Sequence, residues 1–517
     1  MGTATLITFI VYLIGMLGIG FAAYRMTSNL SDYVLGGRRL GPGVAALSAG
    51  ASDMSGWLLL GLPGAIYASG FSAAWIGVGL AIGAYLNWQF VARRLRVYTE
   101  VANDSITVPD YLENRFKDNS HILRVISALV ILLFFTFYTS SGMVAGAKLF
   151  EASFGLSYTQ ALWVGAIVTI SYTFLGGFLA VSWTDFVQGI LMFLALIIVP
   201  IVAIAEVGGW NATVEAVGSI EATHLDMVKG VGIVSIISSL AWGLGYFGQP
   251  HILVRFMALR SPKDVPKARF IGIGWMVLGL YGALFTGFVG LAYINSQDVG
   301  VLSQFGIELV NQNGVQMLAD PEKIFIAFSQ ILFHPVVAGI LLAAILSAIM
   351  STIDSQLLVS SSALAEDFYK AIIRKNASER ELVWIGRVAV AGIALIAILL
   401  AGNPDSSVLS LVSYAWAGFG AAFGPIIILS LLWKGITRNG ALAGMIVGAV
   451  TVVVWKQLIT PETNDAGEVI TPAVIDFPLY EIVPGFILCG LVAIVVSMVG
   501  KKPSAEVVAE FEEAARR

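Results

Sequence analysis

Long apolar runs separated by short polar connections make up most of this chain. A run of about 20 apolar residues is the length that an α-helix needs to cross the hydrocarbon core of a bilayer. Thirteen runs meet this requirement, and the one at 325–364 is long enough to include a helical extension. The runs are 4–24, 42–70, 73–92, 124–151, 159–179, 184–205, 231–256, 270–294, 325–364, 383–401, 406–433, 438–457 and 481–500. The pattern predicts an all-α polytopic membrane protein with about 13 transmembrane helices.

Composition supports this class of protein. The 517 residues are 57% hydrophobic and only 12% charged, whereas a soluble domain is about 25% charged. Residues 1–10 lack the basic start and the small-residue cleavage site of a secretory signal, so the first run is expected to remain as a span. The single cysteine, Cys489, excludes an intramolecular disulfide and a thiolate metal cluster.

The basic residues are segregated along the chain. The chain has 29 lysines and arginines. If the N-terminus is outside and thirteen spans follow, all but four of them lie on the inner side of the membrane. The four exceptions are Lys148, Lys229, Lys323 and Lys456. The positive-inside rule therefore predicts a multi-pass protein of the plasma membrane, the inner membrane in a Gram-negative bacterium, with a cytoplasmic C-terminus.

The second run contains polar residues at membrane depth. An aspartate there, Asp53, costs about 2.5–3.5 kcal/mol on insertion scales, so it needs compensation. The spacing of Ser48, Ser52 and Ser55 predicts three hydroxyls on one helical face, and the glycines that flank the acid weaken the helix. The stretch 41–65 is therefore a candidate site for an ion or a polar solute.

The seventh run contains a second interruption, at 242–251, with the sequence WGLGYFGQPH. Three glycines and a proline in ten residues predict a break in the helix, and a purely structural kink is the alternative. The break lies five spans after the first one, so the two interrupted spans run in opposite directions. Paired breaks in inverted halves are typical of a transporter with its binding site at mid-membrane.

The ninth run has hydroxyls four residues apart at Ser347, Ser351 and Ser355, with Thr352 and Asp354 beside them. Such hydroxyls often bond only to the carbonyl one turn earlier or to a neighbouring helix. The functional alternative is that Ser351 and Thr352 bind a small hard cation, together with backbone carbonyls freed at the break around Asp53.

The remaining polar residues give few indications of catalysis or of metal binding. Asp185 at the start of the sixth run is either a plain helix cap or part of an inner gate or second cation site. The histidines are scattered without metal-ligand spacing, and no nucleophile–base arrangement or nucleotide-binding loop is present. These observations argue against an enzyme and an ATP-driven pump, and the short charged tail is too small for a nucleic-acid-binding domain.

With these sites in view, the chain resembles the solute:sodium symporter family, and within it the bacterial sodium/proline symporters. The resemblance covers nearly the whole chain. The matching blocks, in family order, are TSNLSDYVLGGRRLGP (27–42), SAGASDMSGWLLLGLPGA (48–65), AVSWTDFVQ (180–188), WGLGYFGQPHILVRFM (242–257), AILSAIMSTIDSQL (344–357), LVSYAWAGFGAAFGP (411–425) and RNGALAGM (438–445).

The resemblance implies an inverted five-plus-five repeat of the leucine-transporter type, with one extra helix before it and two after it. The implied divisions are 1–40 for the extra first helix and inner loop, 41–206 and 207–433 for the two repeats, 434–500 for the accessory helices and 501–517 for the tail. The implied function is sodium-coupled symport of L-proline by alternating access, with Na⁺ as the coupling ion, no cofactor, and membrane lipid as the surroundings.

The resemblance also implies site residues. The sodium ligands are the carbonyls of Ala51, Met54 and Ala348 and the hydroxyls of Ser351 and Thr352. The residues linked to sodium coupling are Asp53 and Asp185, and the substrate pocket is formed by Ser55, Gly56, Tyr138, Trp242, Tyr246 and Pro250. Asp354 departs from the small neutral residue expected in the closest proline carriers. A sodium symporter for another small amino acid or carboxylate, a channel and a membrane sensor are the alternative functions.

Overall fold

The computed structural model describes residues 3–24, 30–173, 177–303, 307–312, 314–463 and 469–517. Arg25, one of the basic residues assigned above to the inner side, lies outside the described residues, as does part of the fifth apolar run at 174–176.

Helices account for almost all of the described chain. The α-helices are α1 (Thr3–Tyr24), α2 (Leu30–Leu35), α3 (Pro42–Asp53), α4 (Leu62–Ser69), α5 (Ala74–Leu86), α6 (Arg93–Val101), α7 (Val108–Phe116), α8 (Ile122–Phe154), α9 (Tyr158–Thr173), α10 (Phe178–Val207), α11 (Trp210–Ile220), α12 (Ile233–Leu240), α13 (Pro250–Met257), α14 (Val265–Ser296), α15 (Val299–Ser303), α16 (Ile324–Ile331), α17 (Pro335–Ser362), α18 (Glu379–Leu400), α19 (Val408–Leu432), α20 (Arg438–Ile459), α21 (Ile482–Val499) and α22 (Ala505–Arg516). Two short antiparallel hairpins, β1 (Leu309–Gln312) with β2 (Val315–Leu318) and β3 (Glu462–Thr463) with β4 (Val469–Thr471), lie in connections.

Several spans are composite. Span 2 consists of α3, a π-helical turn at Trp57–Gly61 and α4. Span 3 joins α5 to α6 through a second π-helical turn at Asn87–Ala92. Span 7 consists of α12, a 3₁₀ segment at Ala241–Gly248 and α13. The 3₁₀ segment of span 7 lies where the sequence is rich in glycine. The two π-helical turns insert one extra residue into a helical turn, a feature that is frequent at functional sites.

Ten helical segments in the described residues are long and apolar enough to cross a membrane, against the thirteen spans expected from the sequence. The difference arises because the second half of span 2 continues into span 3 as one helical segment, Trp57–Val101, because span 7 is interrupted, and because α9 ends after 16 described residues at Thr173. The count of thirteen therefore stays a prediction.

The over-long ninth run is two helices. The short helix α16 ends at Ile331, a turn follows, and Pro335 starts α17 in the first helical turn, where proline is tolerated. A π-helical stretch then extends span 9 from Ala363 to Ile373. The sequence predicts an extension on one side within this run, which α16 provides, whereas the π-helical stretch continues beyond the run.

Ion pairs tie the polar ends of the bundle together. The tail helix α22 pairs with the connection after α7 through Lys117 Nζ and Glu510 Oε2, and with Lys434 after α19 through Glu512, at N···O distances of 2.5 and 3.3 Å. Lys148 pairs with Glu322 at 2.7 Å, linking α8 to the turn before α16. The tail, the connection after α7 and the connection after α19 therefore lie at one end of the bundle.

Candidate functional site

The break in span 2 begins immediately after Asp53. Helix α3 ends there because Met54 takes a non-helical ψ of 52°, and regular hydrogen bonding resumes only after Gly56. The expectation that Ser55 shares a helical face with Ser48 and Ser52 is therefore wrong, since Ser55 lies beyond the end of the helix. Its hydroxyl instead accepts from the backbone N–H of Trp57, at 3.3 Å.

The break in span 7 is a run of 3₁₀ helix that ends in an extended Gln249. Its glycines permit close packing as well as the break. A Cβ on Gly245 would lie 1.8 Å from the indole nitrogen of Trp416, and one on Gly248 would lie 2.2 Å from the carbonyl oxygen of Phe419. A side chain at either position would collide with α19, so both glycines are required by packing.

Four of the five expected sodium ligands come together where α3 ends against α17. The carbonyl of Ala51 accepts from Ser351 Oγ at 2.8 Å and from Thr352 Oγ1 at 3.4 Å. The carbonyl of Ala348 accepts from the same two hydroxyls, at 3.3 and 3.1 Å. Met54, the fifth residue, is fully buried within the break itself. The arrangement gathers neutral oxygens from two helices around one position.

Bonding to the carbonyl one turn earlier, one of the two explanations given for these hydroxyls, is present at Ser347 and Ser355, whereas cation binding by Ser351 and Thr352 stays a prediction. Ser347 and Ser355 donate to carbonyls one turn earlier, Ala343 and Ser351, at 2.7 and 2.8 Å. Ser351 differs because it also reaches across to α3. Oxygen lone pairs of hydroxyls and carbonyls suit a hard cation. Within the described residues no three His, Cys, Asp or Glu side chains form a metal cluster.

Asp53 connects three spans through its own atoms. Its Oδ2 accepts from the hydroxyl of Tyr246 in the span 7 break, at 2.5 Å. Its backbone carbonyl accepts from Tyr138 Oη of α8 and from Trp57 Nε1, both at 3.2 Å. Asp53 is 3% exposed, and no lysine or arginine among the described residues forms a salt bridge with it. Asp53 therefore places a buried carboxyl where the two breaks meet.

Two of the expected substrate residues, Tyr138 and Tyr246, contact Asp53, and a third, Trp242, packs against Trp57, which also contacts it. The Trp242 ring packs against Trp57 and Tyr480, with centroid separations of 6.2 and 5.5 Å, and the Tyr246 ring lies 5.0 Å from Trp416. Trp57, Trp416 and Tyr480 are not among the site residues predicted from the sequence. Trp57 and Trp416 lie within the matching blocks already noted, whereas Tyr480 lies in a polar connection that gave no signal.

The other two expected substrate positions are backbone features. Gly56 lies in the span 2 break, where a Cβ would come within 2.9 Å of the Ala145 side chain in α8. Pro250 opens α13, four residues after Tyr246, and is buried. A proline in the first turn removes a backbone donor that the helix leaves unpaired in any case, so it ends the break without costing a hydrogen bond.

Asp185 forms a buried ion pair. Helix α10 begins at Phe178, so Asp185 lies in the third turn and the helix-cap alternative is wrong. Its Oδ2 accepts from Ser48 Oγ at 2.7 Å and from Arg255 Nη2 at 3.2 Å. Arg255 also donates to Ser355 Oγ, at 2.6 Å. From the sequence, Arg255 is only one of the basic residues predicted on the inner side, because a pairing across 70 positions leaves no local pattern.

Asp354 lies next to this cluster and is also buried. Its Oδ1 accepts from the hydroxyl of Ser355 at 3.3 Å. The same hydroxyl oxygen accepts a hydrogen bond from the Arg255 guanidinium. The departure from a small neutral residue therefore adds a carboxyl beside the Asp185–Arg255 ion pair and one turn from the Ser351 and Thr352 hydroxyls.

Comparison with known proteins gives consistent results. The family model for the sodium:solute symporter family matches residues 33–448. The "Sodium/proline symporter" of Escherichia coli (strain K12) is 56% identical over 512 residues, covering 99% of this chain and 96% of the relative. The "High-affinity proline transporter PutP" of Bacillus subtilis (strain 168) is 53% identical, covering 96% of this chain and 98% of the relative.

A solved structure shares the fold. The substrate-bound outward-open state of a Na⁺-coupled sialic acid symporter aligns with a TM-score of 0.78 and 18% identity, covering 97% of this chain and 99% of that one. The fold is that of an all-α polytopic membrane protein with the inverted repeat of leucine-transporter-type symporters. On the family match and these near-full-length relatives, the chain belongs to the sodium:solute symporter family.

Proposed function

We propose that this protein couples the inward movement of Na⁺ to the uptake of L-proline. The observation that carries the proposal is the meeting of the Ala51 and Ala348 carbonyls with the Ser351 and Thr352 hydroxyls, at the broken end of α3. Support for the substrate comes from relatives at 50–56% identity that are named as proline carriers.

The proposed sodium site is Ala51, Met54, Ala348, Ser351 and Thr352. A cation there accepts lone pairs from oxygens that otherwise bond to one another, so the two hydroxyls turn their hydrogens away when it binds. Because the site joins α3 to α17, its occupancy favours the conformation in which these helices lie close. Asp53 and Asp185 are proposed to couple sodium to transport, Asp53 by placing negative charge beside the break.

The proposed proline pocket lies between the two breaks. Ser55 and Gly56 supply backbone at the broken end of span 2, and Tyr138, Trp242, Tyr246 and Pro250 supply the rest. The aromatic rings cover the apolar pyrrolidine ring, while N–H groups at the start of a half-helix suit the carboxylate. Ion and solute then raise each other's affinity, because linkage between two sites is reciprocal.

The remaining architecture is proposed on the same basis. The divisions are 1–40, 41–206, 207–433, 434–500 and 501–517, as the resemblance implies, with thirteen spans in total. The positive-inside rule puts the N-terminus outside and the C-terminus in the cytoplasm. The pairing of the tail with Lys117 and Lys434 supports one common inner end. Membrane potential then adds about 2.3 kcal/mol per charge per 100 mV to sodium entry.

The test is uptake of labelled L-proline by purified protein in liposomes. An inward Na⁺ gradient is expected to drive accumulation above the external concentration, and an equal K⁺ gradient is the control. Equal uptake with the two gradients would end the proposal of sodium coupling. Competition by other unlabelled amino acids and small carboxylates tests the alternative substrates, and saturation of the rate with proline separates a carrier from a channel.

A further inference from the structure

A small cavity lies beside Asp53 and Met54. It has a volume of about 20 Å³ and lies between α3, the π-helical turn of span 3, the span 7 break and α14. The lining residues with polar groups in their side chains are Asp53, Asn87, Trp88 and Tyr246. A buried water molecule needs a cavity volume of about 10–15 Å³, so this cavity has room for one.

Two buried oxygen atoms on residues that line this cavity have no donor among the described residues. Asp53 Oδ1 and Asn87 Oδ1 are both buried and accept no hydrogen bond from the described residues. An ionised carboxylate and an amide carbonyl are both acceptors only, so they cannot satisfy each other. Buried acceptors of this kind are nearly always bonded to something, because leaving them unpaired is costly.

The orientation of the Asn87 amide is set from its other side. Its Nδ2 donates to the backbone carbonyl of Tyr246, at 2.9 Å, so the amide oxygen is the atom left without a protein donor. The Tyr246 hydroxyl in turn donates to Asp53 Oδ2. Asn87 begins a π-helical turn, and such turns occur frequently at functional sites. One side chain thereby joins the span 7 break to the neighbourhood of the Asp53 carboxylate.

We propose that this cavity binds one water molecule, which donates to both Asp53 Oδ1 and Asn87 Oδ1, and that Asn87 is a positioning residue for Asp53. A water has two donors to match the two acceptors. With it in place, both oxygens of the carboxylate are held, one by Tyr246 and one through Asn87. The Asp53 carboxylate is then fixed relative to the sodium ligands on either side of it in the chain. The inference rests on the proposed function, since its consequence is a change in sodium affinity.

A second sodium ion is the competing occupant. A hard cation takes about six or more oxygen ligands, and the side chains at this cavity supply few. A buried water molecule, in contrast, needs only two to four polar partners. The geometry therefore favours water.

The experiment compares two substitutions that remove the same amide. Asn87→Ala enlarges the cavity, so further water can enter and still donate to Asp53 Oδ1. Asn87→Leu keeps the volume but puts methyl groups where the amide was, which leaves a water with too few polar partners. Both lose the hydrogen bond to the Tyr246 carbonyl equally. Gln89→Ala, an exposed position in the same π-helical turn, is the control.

The measurement is the Na⁺ concentration that gives half-maximal thermal stabilisation of the purified full-length protein, with K⁺ as the reference salt. We expect that concentration to rise by about 10- to 100-fold in Asn87→Leu, the range for a hydrogen bond to a charged group. A smaller rise is expected in Asn87→Ala and none in Gln89→Ala.

Equal shifts in the two Asn87 variants, or none in either, would overturn the inference while leaving sodium coupling intact. An unmodified protein with no sodium-specific stabilisation would instead overturn the proposed function, and this inference with it. A structure of the unmodified protein that resolves ordered water gives an independent test that needs no variant. It is expected to show one water bonded to both oxygens, and either an empty cavity or an ion with a cation's coordination would contradict the inference.

Discussion

The guanidinium of Arg255 lies against the carboxylate of Asp185, with Nη2 3.2 Å from Oδ2, and neither side chain has any exposed surface. The pair joins α13, the second half of broken span 7, to α10. Through Ser48 and Ser355 it also reaches α3 and α17, the two helices that carry the proposed sodium ligands. A buried charge pair thus spans the same helices as the ion site without contributing to the expected ligand set.

Breaking this pair should destabilise the protein strongly. Arg255→Met leaves the carboxylate of Asp185 buried without its counter-charge, a change that typically costs about 3–5 kcal/mol. The double variant Arg255→Met with Asp185→Asn removes both charges and should recover most of that loss. Thermal unfolding in detergent measures both. Lys434→Ala, which breaks a pair on the exposed surface, should change stability by less than about 1 kcal/mol. A double variant no more stable than Arg255→Met would show that the pair does not act as a unit.

The two hydroxyls at the α3–α17 contact should determine sodium affinity. Ser351→Ala and Thr352→Ala each remove one oxygen from the proposed site. Each is expected to raise the sodium concentration for half-maximal proline uptake by about tenfold or more, by analogy with hydrogen bonds to charged groups. Ser362→Ala is the control, because that hydroxyl is on the same helix but bonds only to the Leu358 carbonyl. Unchanged sodium dependence in both variants would remove these hydroxyls from the site.

The hydroxyl of Tyr246 should matter separately from its ring. Tyr246→Phe keeps the aromatic surface against Trp416 but removes the donor to Asp53 Oδ2. We expect a larger rise in the half-saturating sodium concentration than in the KM for proline. Tyr158→Phe, which loses a hydroxyl bonded to the Ala401 carbonyl away from the site, should transport normally. A rise confined to the KM for proline would assign the hydroxyl to the substrate instead.

The sequence predicts the features that local composition encodes. Apolar run lengths indicate the spans, and the Gly- and Pro-rich stretch at 242–251 predicts the break in span 7 because those residues cannot maintain a regular helix. The end of α3 is harder to predict from the sequence, because Ser55 is compatible with a helix. Only the backbone conformation of Met54 shows where the helix ends.

Contacts between distant segments are harder to predict. From the sequence alone, Arg255 cannot be told apart from the 24 other basic residues predicted on the inner side, and only the fold puts Asp185 beside it. Asn87 gives no signal at all, because its role depends on a π-helical turn in span 3 and on a carboxylate in span 2. Residues that act only through tertiary contacts can be identified only from a structure. Residues at a helix break can be identified from the local glycine and proline content of the sequence.

Close packing of span 3 against the span 7 break should make Gly83 sensitive to the smallest substitution. A Cβ at Gly83 would lie 2.1 Å from the carbonyl oxygen of Gly243 and 2.5 Å from its Cα. Backbone atoms cannot rotate away as a side chain can, so Gly83→Ala must separate α5 from the break. Overpacking of this kind typically costs about 1–3 kcal/mol.

The separation would also displace the Asn87 amide, one turn further along, from the Tyr246 carbonyl that it contacts. We therefore expect Gly83→Ala to lower both the thermal stability and the maximal rate of proline uptake. Gly274→Ala is the matched control, because it lies within α14 with nothing inside 4 Å of its added Cβ. That change should be neutral or stabilising by up to about 1 kcal/mol, since alanine favours helix over glycine. If the two variants behave alike in unfolding and in uptake, the contact between span 3 and the break has no part in holding the site together.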